Sequence, residues 1–303
     1  MNNIQTTKKF LSNAVFMIVL LLLNSATVFA EGKILHEKKY NVEKGETLLV
    51  KFISADIKVR SWDENEVQLI VKGSKLINDK FEFEFSYEDG VVKAIAEKKS
   101  DWSSWNWSND FSLIVKVPNN FNLDLKTSGG DVNIESISGE IVIKTSGGDI
   151  EFKNSQGSLS AKTSGGDVEG SNFIGDVVIK TSGGDIEVKD IDGAVEAKTS
   201  GGDIEINANE GEIIAGTSGG DIYLEYKGKN YGVDLYTSGG TINVKLPSDF
   251  AADVSLKTSG GSINNEFANS NAREISKSKF VGMYNKGGAD FTAKTSGGSI
   301  RVK

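Results

Sequence analysis

Cysteine is absent from this sequence, and histidine occurs once, at position 36. Without cysteine there can be no disulfide, no thiolate metal site and no lipid carried on a cysteine near the start of a mature chain. With a single histidine so far forward, Ser/His/Asp and Cys/His arrangements are excluded from the body of the chain. Arginine is scarce, at Arg60, Arg273 and Arg301, and proline occurs only as Pro118 and Pro247. Long apolar runs are also missing apart from Ala14 to Leu23, preceded by Lys8-Lys9 and followed by Val28-Phe29-Ala30. That run is about half of the ~20 residues a membrane span needs, and its flanks fit a secretory signal cleaved after Ala30. Removing residues 1–30 leaves 32 basic and 42 acidic residues, a net charge of −10. Nucleic acid and anionic membrane surfaces are therefore poor partners, and the expected address is extracellular, cell-surface or periplasmic. No second apolar span follows, so the mature chain is expected to have no transmembrane segment.

The sequence is rich in repetition. Thr-Ser-Gly-Gly occurs nine times, at Thr127, Thr145, Thr163, Thr181, Thr199, Thr217, Thr237, Thr258 and Thr295. The first five intervals, from Thr127 to Thr217, are identical, and the next three are longer and unequal. A fixed period of this size signals stacked coils. Within a unit, apolar residues alternate in two short runs, as at Ile186 and Val188 and again at Val195 and Ala197. Alternation with period two is the signature of strands with one buried face. Four inward apolar side chains cannot offset the ordering of a whole coil, so each coil needs neighbours. Glycine at the corners is expected to supply positive φ where the chain turns.

The pattern predicts an all-β fold: a parallel β-helix or β-solenoid with 18-residue coils, right-handed or flattened into two sheets, preceded by an irregular β-rich cap. Residues 1–30 read as signal peptide, 31–125 as the cap region and 126–303 as the repeat domain, with insertions after 245. Six strands are expected before residue 125, with a hairpin at Asp89-Gly90. Ser54-Ala-Asp-Ile-Lys-Val-Arg60 reads as a degenerate first rung that lacks the glycines. Each proline stands in an apolar-Pro-polar-polar-Phe stretch, at 117–121 and 246–250, and marks a turn leading into a strand. The excursion from Asn264 to Lys294 reads as a lid over the last coils, with a partner-binding loop as the alternative.

These proline turns and serial Ser-Gly-Gly-Asp-Ile rungs resemble the bacterial β-strand-repeat family of unknown function commonly labelled "putative adhesin". The resemblance spans roughly residues 45–303. It implies a β-helix-like fold and an envelope or extracellular location, and it supplies no catalytic motif.

Two groups of residues are candidate binding sites. The first is the column Asp131, Asp149, Asp167, Asp185, Asp203 and Asp221, stacked by the repeat. Calcium is the tempting ligand, but one regular carboxylate per coil cannot dedicate the six to eight oxygens that calcium takes. Lys126, Lys144, Lys162, Lys180 and Lys198 each stand shortly before an Asp, across the turn, so a structural Asp–Lys ladder is expected, with no metal and no cofactor. The second group is Trp102, Trp105 and Trp107, which would either contact glycan or fold back onto the sheet. The expected function is an adhesin-like binding or structural protein presenting a repetitive Thr/Ser/Asp/Lys face to glycan or another surface polymer, without enzymatic activity. The alternatives are a polysaccharide-acting enzyme with carboxylates clustered around 246–294, or a structural spacer without a ligand.

Overall fold

The structure, a computed structural model, describes residues 32–99 and 111–303. The signal-like segment and the three tryptophans between 102 and 107 lie outside the described residues. The all-β expectation holds: among the described residues, 25 strands join one continuous hydrogen-bonded network that bends at its corners into two sheets, with a single five-residue helix. No helix among the described residues is long and apolar enough to cross a membrane.

The chain begins with β1 (Lys33–Asn41), β2 (Thr47–Phe52), β3 (Asp56–Trp62), β4 (Glu66–Gly73), the helix α1 (Leu76–Lys80), β5 (Phe81–Glu88) and β6 (Val91–Lys98). There follow β7 (Phe111–Pro118), β8 (Asn122–Lys126), β9 (Val132–Glu135), β10 (Ser138–Lys144), β11 (Ile150–Lys162), β12 (Val168–Lys180), β13 (Ile186–Asp192) and β14 (Val195–Lys198). Next come β15 (Ile204–Glu210), β16 (Ile213–Gly216), β17 (Ile222–Tyr226), β18 (Val233–Thr237) and β19 (Ile242–Lys245). The last are β20 (Ala252–Thr258), β21 (Ile263–Asn265), β22 (Ser270–Ile275), β23 (Lys279–Tyr284), β24 (Asp290–Thr295) and β25 (Ile300–Val302).

Two parallel ladders run through the middle of the molecule. In one, Ile141 pairs with Leu159, Leu159 with Val177, Val177 with Val195, and Val195 with Ile213, each partner one repeat further along the chain. In the other, Val132, Ile150, Val168, Ile186, Ile204 and Ile222 pair in succession at the same offset. These residues are all at most 2% exposed and belong to one core with their i+2 neighbours, except that Gly170 follows Val168 and leaves its space to the Phe152 ring, so alternation turns one face of each strand inward. Parallel strands buried on the inside need neighbours on both sides, which the repeat supplies about 4.8 Å away.

The ends are ordered differently in space than in sequence. β2 lies between β6 and β8, and β3 between β7 and β9. The first rung in the sequence is therefore the second in space, and Asp56 to Arg60 is a rung, as its echo of the repeat predicts. β5 then runs antiparallel along β6, β4 antiparallel along β7, and β1 antiparallel along β4. At the other end β24 and β25 stack directly on β18 and β19, and β20 and β21 stack outside them. β23 pairs antiparallel with β20, and β22 with β23. The Thr295 unit thus sits between those of Thr237 and Thr258. The excursion covers the outer edge of β20, and the covering hairpin ends at Tyr284.

These pairings correct one expectation. A boundary at 125/126 between cap and repeats has no counterpart, because β2, β3, β6, β7 and β8 are members of the parallel ladders. Aliphatic alternation in these strands is enough to join the stack without Gly-Gly, which hides them from a search for the motif. The ends also differ from the middle in packing. Interior rungs hold Ile, Val, Leu and Ala apart from the edge-to-face pair Phe152 and Phe173, while the ends collect most of the aromatics: Phe52, Phe81, Phe83 and Phe111 on one side, Phe250, Phe267, Tyr284 and Phe291 on the other. A terminal rung has a partner on one side only, and a large ring covers more of the space a missing neighbour leaves. Phe121 and Phe250, which follow the two prolines, are buried plugs at the starts of β8 and β20.

Candidate functional site

The Thr-Ser-Gly-Gly corner builds two continuous hydrogen-bond ladders. Each threonine is at most 7% exposed. Its hydroxyl donates to a carbonyl of the preceding rung and accepts the N–H of the second glycine of its own rung. Thr181 Oγ1, for example, donates to the Gly166 carbonyl at 3.0 Å and accepts from Gly184 N–H at 3.4 Å. The pattern extends through Thr237, Thr295 and Thr258, whose hydroxyls donate to Gly220, Gly240 and Gly298 at 2.8, 2.7 and 2.7 Å. A buried hydroxyl left unpaired is costly, so a threonine that satisfies both its donor and its acceptor role binds one rung to the next.

The aspartates form the second ladder. The backbone N–H of Asp149 donates to Asp131 Oδ1 at 2.9 Å, and that of Asp167 to Asp149 Oδ1 at 2.8 Å. The same bond recurs at Asp185, Asp203, Asp221 and Thr241, with lengths from 2.6 to 2.8 Å. Asp56 starts the series by accepting from Asp131 N–H, and burial pushes its carboxyl up while that hydrogen bond pulls the other way. This corrects the expected Asp–Lys ladder. A carboxylate one residue past the glycines reaches the peptide N–H directly above it, whereas the lysines point out from the adjoining sheet. Among the described residues, no group of three or more acidic or histidine side chains is placed to hold a metal ion.

Corner glycines behave in two ways. A β-carbon on Gly148, Gly166, Gly184 or Gly202 would stand 2.0 or 2.1 Å from the carbonyl oxygen of the glycine below, so these residues are required by close approach of stacked backbones. Positive φ, the expected reason, applies at the opposite corner instead: Gly157, Gly175 and Gly193 have φ of 120°, 123° and 151°, and Asn154, Asn172 and Asp190 lie near 52–54°. Asn and Asp are the residues besides glycine that tolerate this region best.

The outward face of the sheet that contains β14 carries a column of lysines. In spatial order the register aligns Lys51, Lys126, Lys144, Lys162, Lys180 and Lys198, then Gly216 and Tyr236, then Lys294, Lys257 and Lys279. Nine of eleven successive positions are therefore lysine. Some of this charge is paired: Lys126 with Asp124 at 2.8 Å, Lys198 and Lys180 with Glu196 at 2.8 and 3.1 Å, and Lys279 with Glu274 at 2.6 Å. The Lys198 and Lys180 ammonium groups hold the Glu196 carboxyl below the usual carboxylate range. Lys144 and Lys162 have no ion-pair partner among the described residues. Gly216 interrupts the column without steric need, since a β-carbon there would meet only Lys198 Cγ at 3.9 Å and the Tyr236 carbonyl at 4.0 Å. Tyr236 beside it is 47% exposed, with its hydroxyl 2.9 Å from Ser238 Oγ.

The other sheet carries a glutamate column beside one of mixed sign. Glu151, Glu169, Glu187 and Glu205 stand in register, flanked by the exposed Asp column. Lys153 and Lys189 pair with Glu151 and Glu187 on their own strands. Between 246 and 294, where an enzyme reading expects clustered carboxylates, a shallow pocket of about 530 Å³ is lined by Asp249, Ala251, Asn269, Asn285 and Lys286. It offers one carboxylate, and the Asn285 amide is committed to the Ser248 and Phe250 carbonyls at 3.1 and 2.8 Å.

Of the residues anticipated from sequence, the six aspartates and five lysines are brought into columns, on different faces. Missing from that reading were Lys51, Lys257, Lys279 and Lys294, because their place in the column depends on which rung stacks on which. Gly216 and Tyr236 carry a signal of their own, since both occupy the repeat position held by lysine in the five preceding units.

A family model described as Toastrack DUF4097 matches residues 46–303. Among solved structures, the chain is similar to a "putative adhesin" from Bacteroides fragilis, with 15% identity over 88% of this chain and 96% of that chain and a TM-score of 0.48. It is also similar to a "putative lipid binding protein" from Parabacteroides distasonis, with 15% identity, the same coverage and a TM-score of 0.49. Among curated proteins none is a significant match.

Proposed function

The chain belongs to the Toastrack DUF4097 family, and from that footing we propose that it is an exported, non-enzymatic β-solenoid of 18-residue coils that binds a repeating surface polymer such as glycan. The observation that carries this reading is the in-register repetition of outward side chains along both sheets. A flat face that repeats about every 4.8 Å suits many weak contacts with a ligand that itself repeats, where linked contacts replace a deep pocket. Export is supported by the signal-like segment before Glu31, and the absence of cysteine fits a fold that needs no disulfide in an oxidising compartment. The single histidine and the isolated carboxylate of the pocket near Asp249 support a binding role over catalysis. The antiparallel strands at each end act as caps that keep the stack from extending edge to edge.

The test is an array of neutral and acidic glycans of graded length probed with residues 31–303. Binding that strengthens with polymer length, with monosaccharides inactive, is the expected outcome. Tight binding of a monosaccharide, depolymerisation of any polymer, or a blank array would overturn the proposal.

A further inference from the structure

We propose that the lysine-bearing sheet face is a binding site for a linear acidic polysaccharide, which lies along the column and stacks one sugar ring on Tyr236 over Gly216. The inference rests on the polymer-binding reading above and names its site and its ligand class. Three observations carry it.

First, the charge is local and aligned. The mature chain is acidic overall, yet one face holds nine lysines at eleven successive strand positions, and at least Lys144 and Lys162 are exposed with no partnering carboxylate among the described residues. Like charges held in line repel one another, and a polyanion laid over them removes that repulsion as well as adding attraction. Second, the other sheet carries Glu151, Glu169, Glu187 and Glu205 in register, and its Lys153, Lys189 and Lys245 are each tied to a glutamate, so the uninterrupted run of lysines lies on one face alone. The column extends about 48 Å at the usual strand spacing, enough for a chain to contact several lysines at once.

Third, the column is broken in a way that the fold does not demand. Gly216 has neither positive φ nor a close neighbour, so any L residue fits there. Its effect is a step about two strand spacings wide between the Lys198 and Tyr236 side chains, floored by backbone, with the half-exposed Tyr236 ring as one wall. A bare phosphate chain gains nothing from such a step. A pyranose ring gains an aromatic surface for its C–H face, with Asp234 beside it to accept from hydroxyls and Lys198 to donate to a carboxylate, and Lys294 resumes the column one rung further on.

The experiment measures binding of polygalacturonate, a neutral glucan of equal length and linear polyphosphate to residues 31–303, with Lys144→Glu/Lys162→Glu, Tyr236→Ala and Gly216→Lys as variants. All four positions are outward, and thermal midpoints confirm that each variant is folded. Polygalacturonate binding should weaken with added salt, fall about tenfold or more in the double lysine variant and fall about fivefold in Tyr236→Ala. Gly216→Lys is the discriminating case. It adds a tenth lysine to the column while filling the step, so it should weaken polygalacturonate and strengthen polyphosphate. Parallel strengthening of both would show bare charge attraction and overturn the proposal. Binding of the neutral glucan in preference to polygalacturonate would also overturn it, while leaving the polymer-binding reading intact; no binding of any polymer would sink both. Self-association abolished by the lysine variants, without polymer binding, would make the glutamate face of a second copy the occupant and would equally overturn it.

Discussion

A β-carbon placed on Gly184 would stand 2.0 Å from the carbonyl oxygen of Gly166, whereas one on Gly183 would meet nothing closer than 3.7 Å. Adjacent glycines of one motif thus have different duties, and neither has positive φ. Gly184→Ala is expected to cost more than about 2 kcal/mol, because backbone rather than a flexible side chain must move. Gly183→Ala should be neutral or stabilise by about 0.5 kcal/mol through the unfolded state. Urea unfolding of the two variants checks both, and equal effects would contradict the close-approach account. At Tyr226 the concern is charge. Burial pushes its phenol up to about 12, with the nearby Glu210 acting in the same direction, while its hydroxyl donates to the Gly211 carbonyl at 2.9 Å. Because the folded value lies above the ordinary one near 10, this group contributes stability that is present below about pH 10 and lost as the pH rises towards 12. Burial shifts Tyr284 in the same direction. The urea midpoint should therefore fall across that window and fall less in Tyr226→Phe; a midpoint indifferent to pH would mean a solvated phenol. At this scale the sequence displayed every Thr-Ser-Gly-Gly, but the reason for its second glycine depends on a carbonyl one repeat away and could not be read locally.

At the scale of elements, β24 and β25 hold two neighbours each: β18 and β19 on one side, β20 and β21 on the other. Removing residues 287–303 therefore takes away an internal rung, not a terminal one. The segment 247–286 loses its only parallel partners among the described residues, and it should become sensitive to protease while the rungs before Lys245 stay protected. Protection of 247–286 equal to that of the full chain would refute the threaded order. The strands themselves were legible, since alternation at Ile186/Val188 or Phe81/Phe83/Phe85 declares them. Their order at the ends was not, because inward Val, Ile, Leu and Phe side chains fit any parallel neighbour. The long spacings after Thr237 and Thr258 look like insertions in a linear stack, and only the pairing of Thr295 with Thr237 and Thr258 shows a doubling back.

For the whole molecule, the repeat made the architecture readable from composition upward: no cysteine, frequent glycine and a fixed interval. The separation of charge between the two sheets was half readable. The lysines that precede each aspartate stand out in the repeat, but their place on another face depends on the corner between β10 and β11, where the chain passes from one ladder to the other. The doubled-back ends have a further consequence. Both closures are completed by residues outside the stretch from Asn133 to Tyr226, where successive rungs keep one offset apart from a bulge at Ile191. Blocks of that size can be gained or lost in the middle of a gene by unequal recombination without disturbing either terminus. The molecule is in this sense a ruler with fixed end-pieces, whose span evolves in steps of about 4.8 Å.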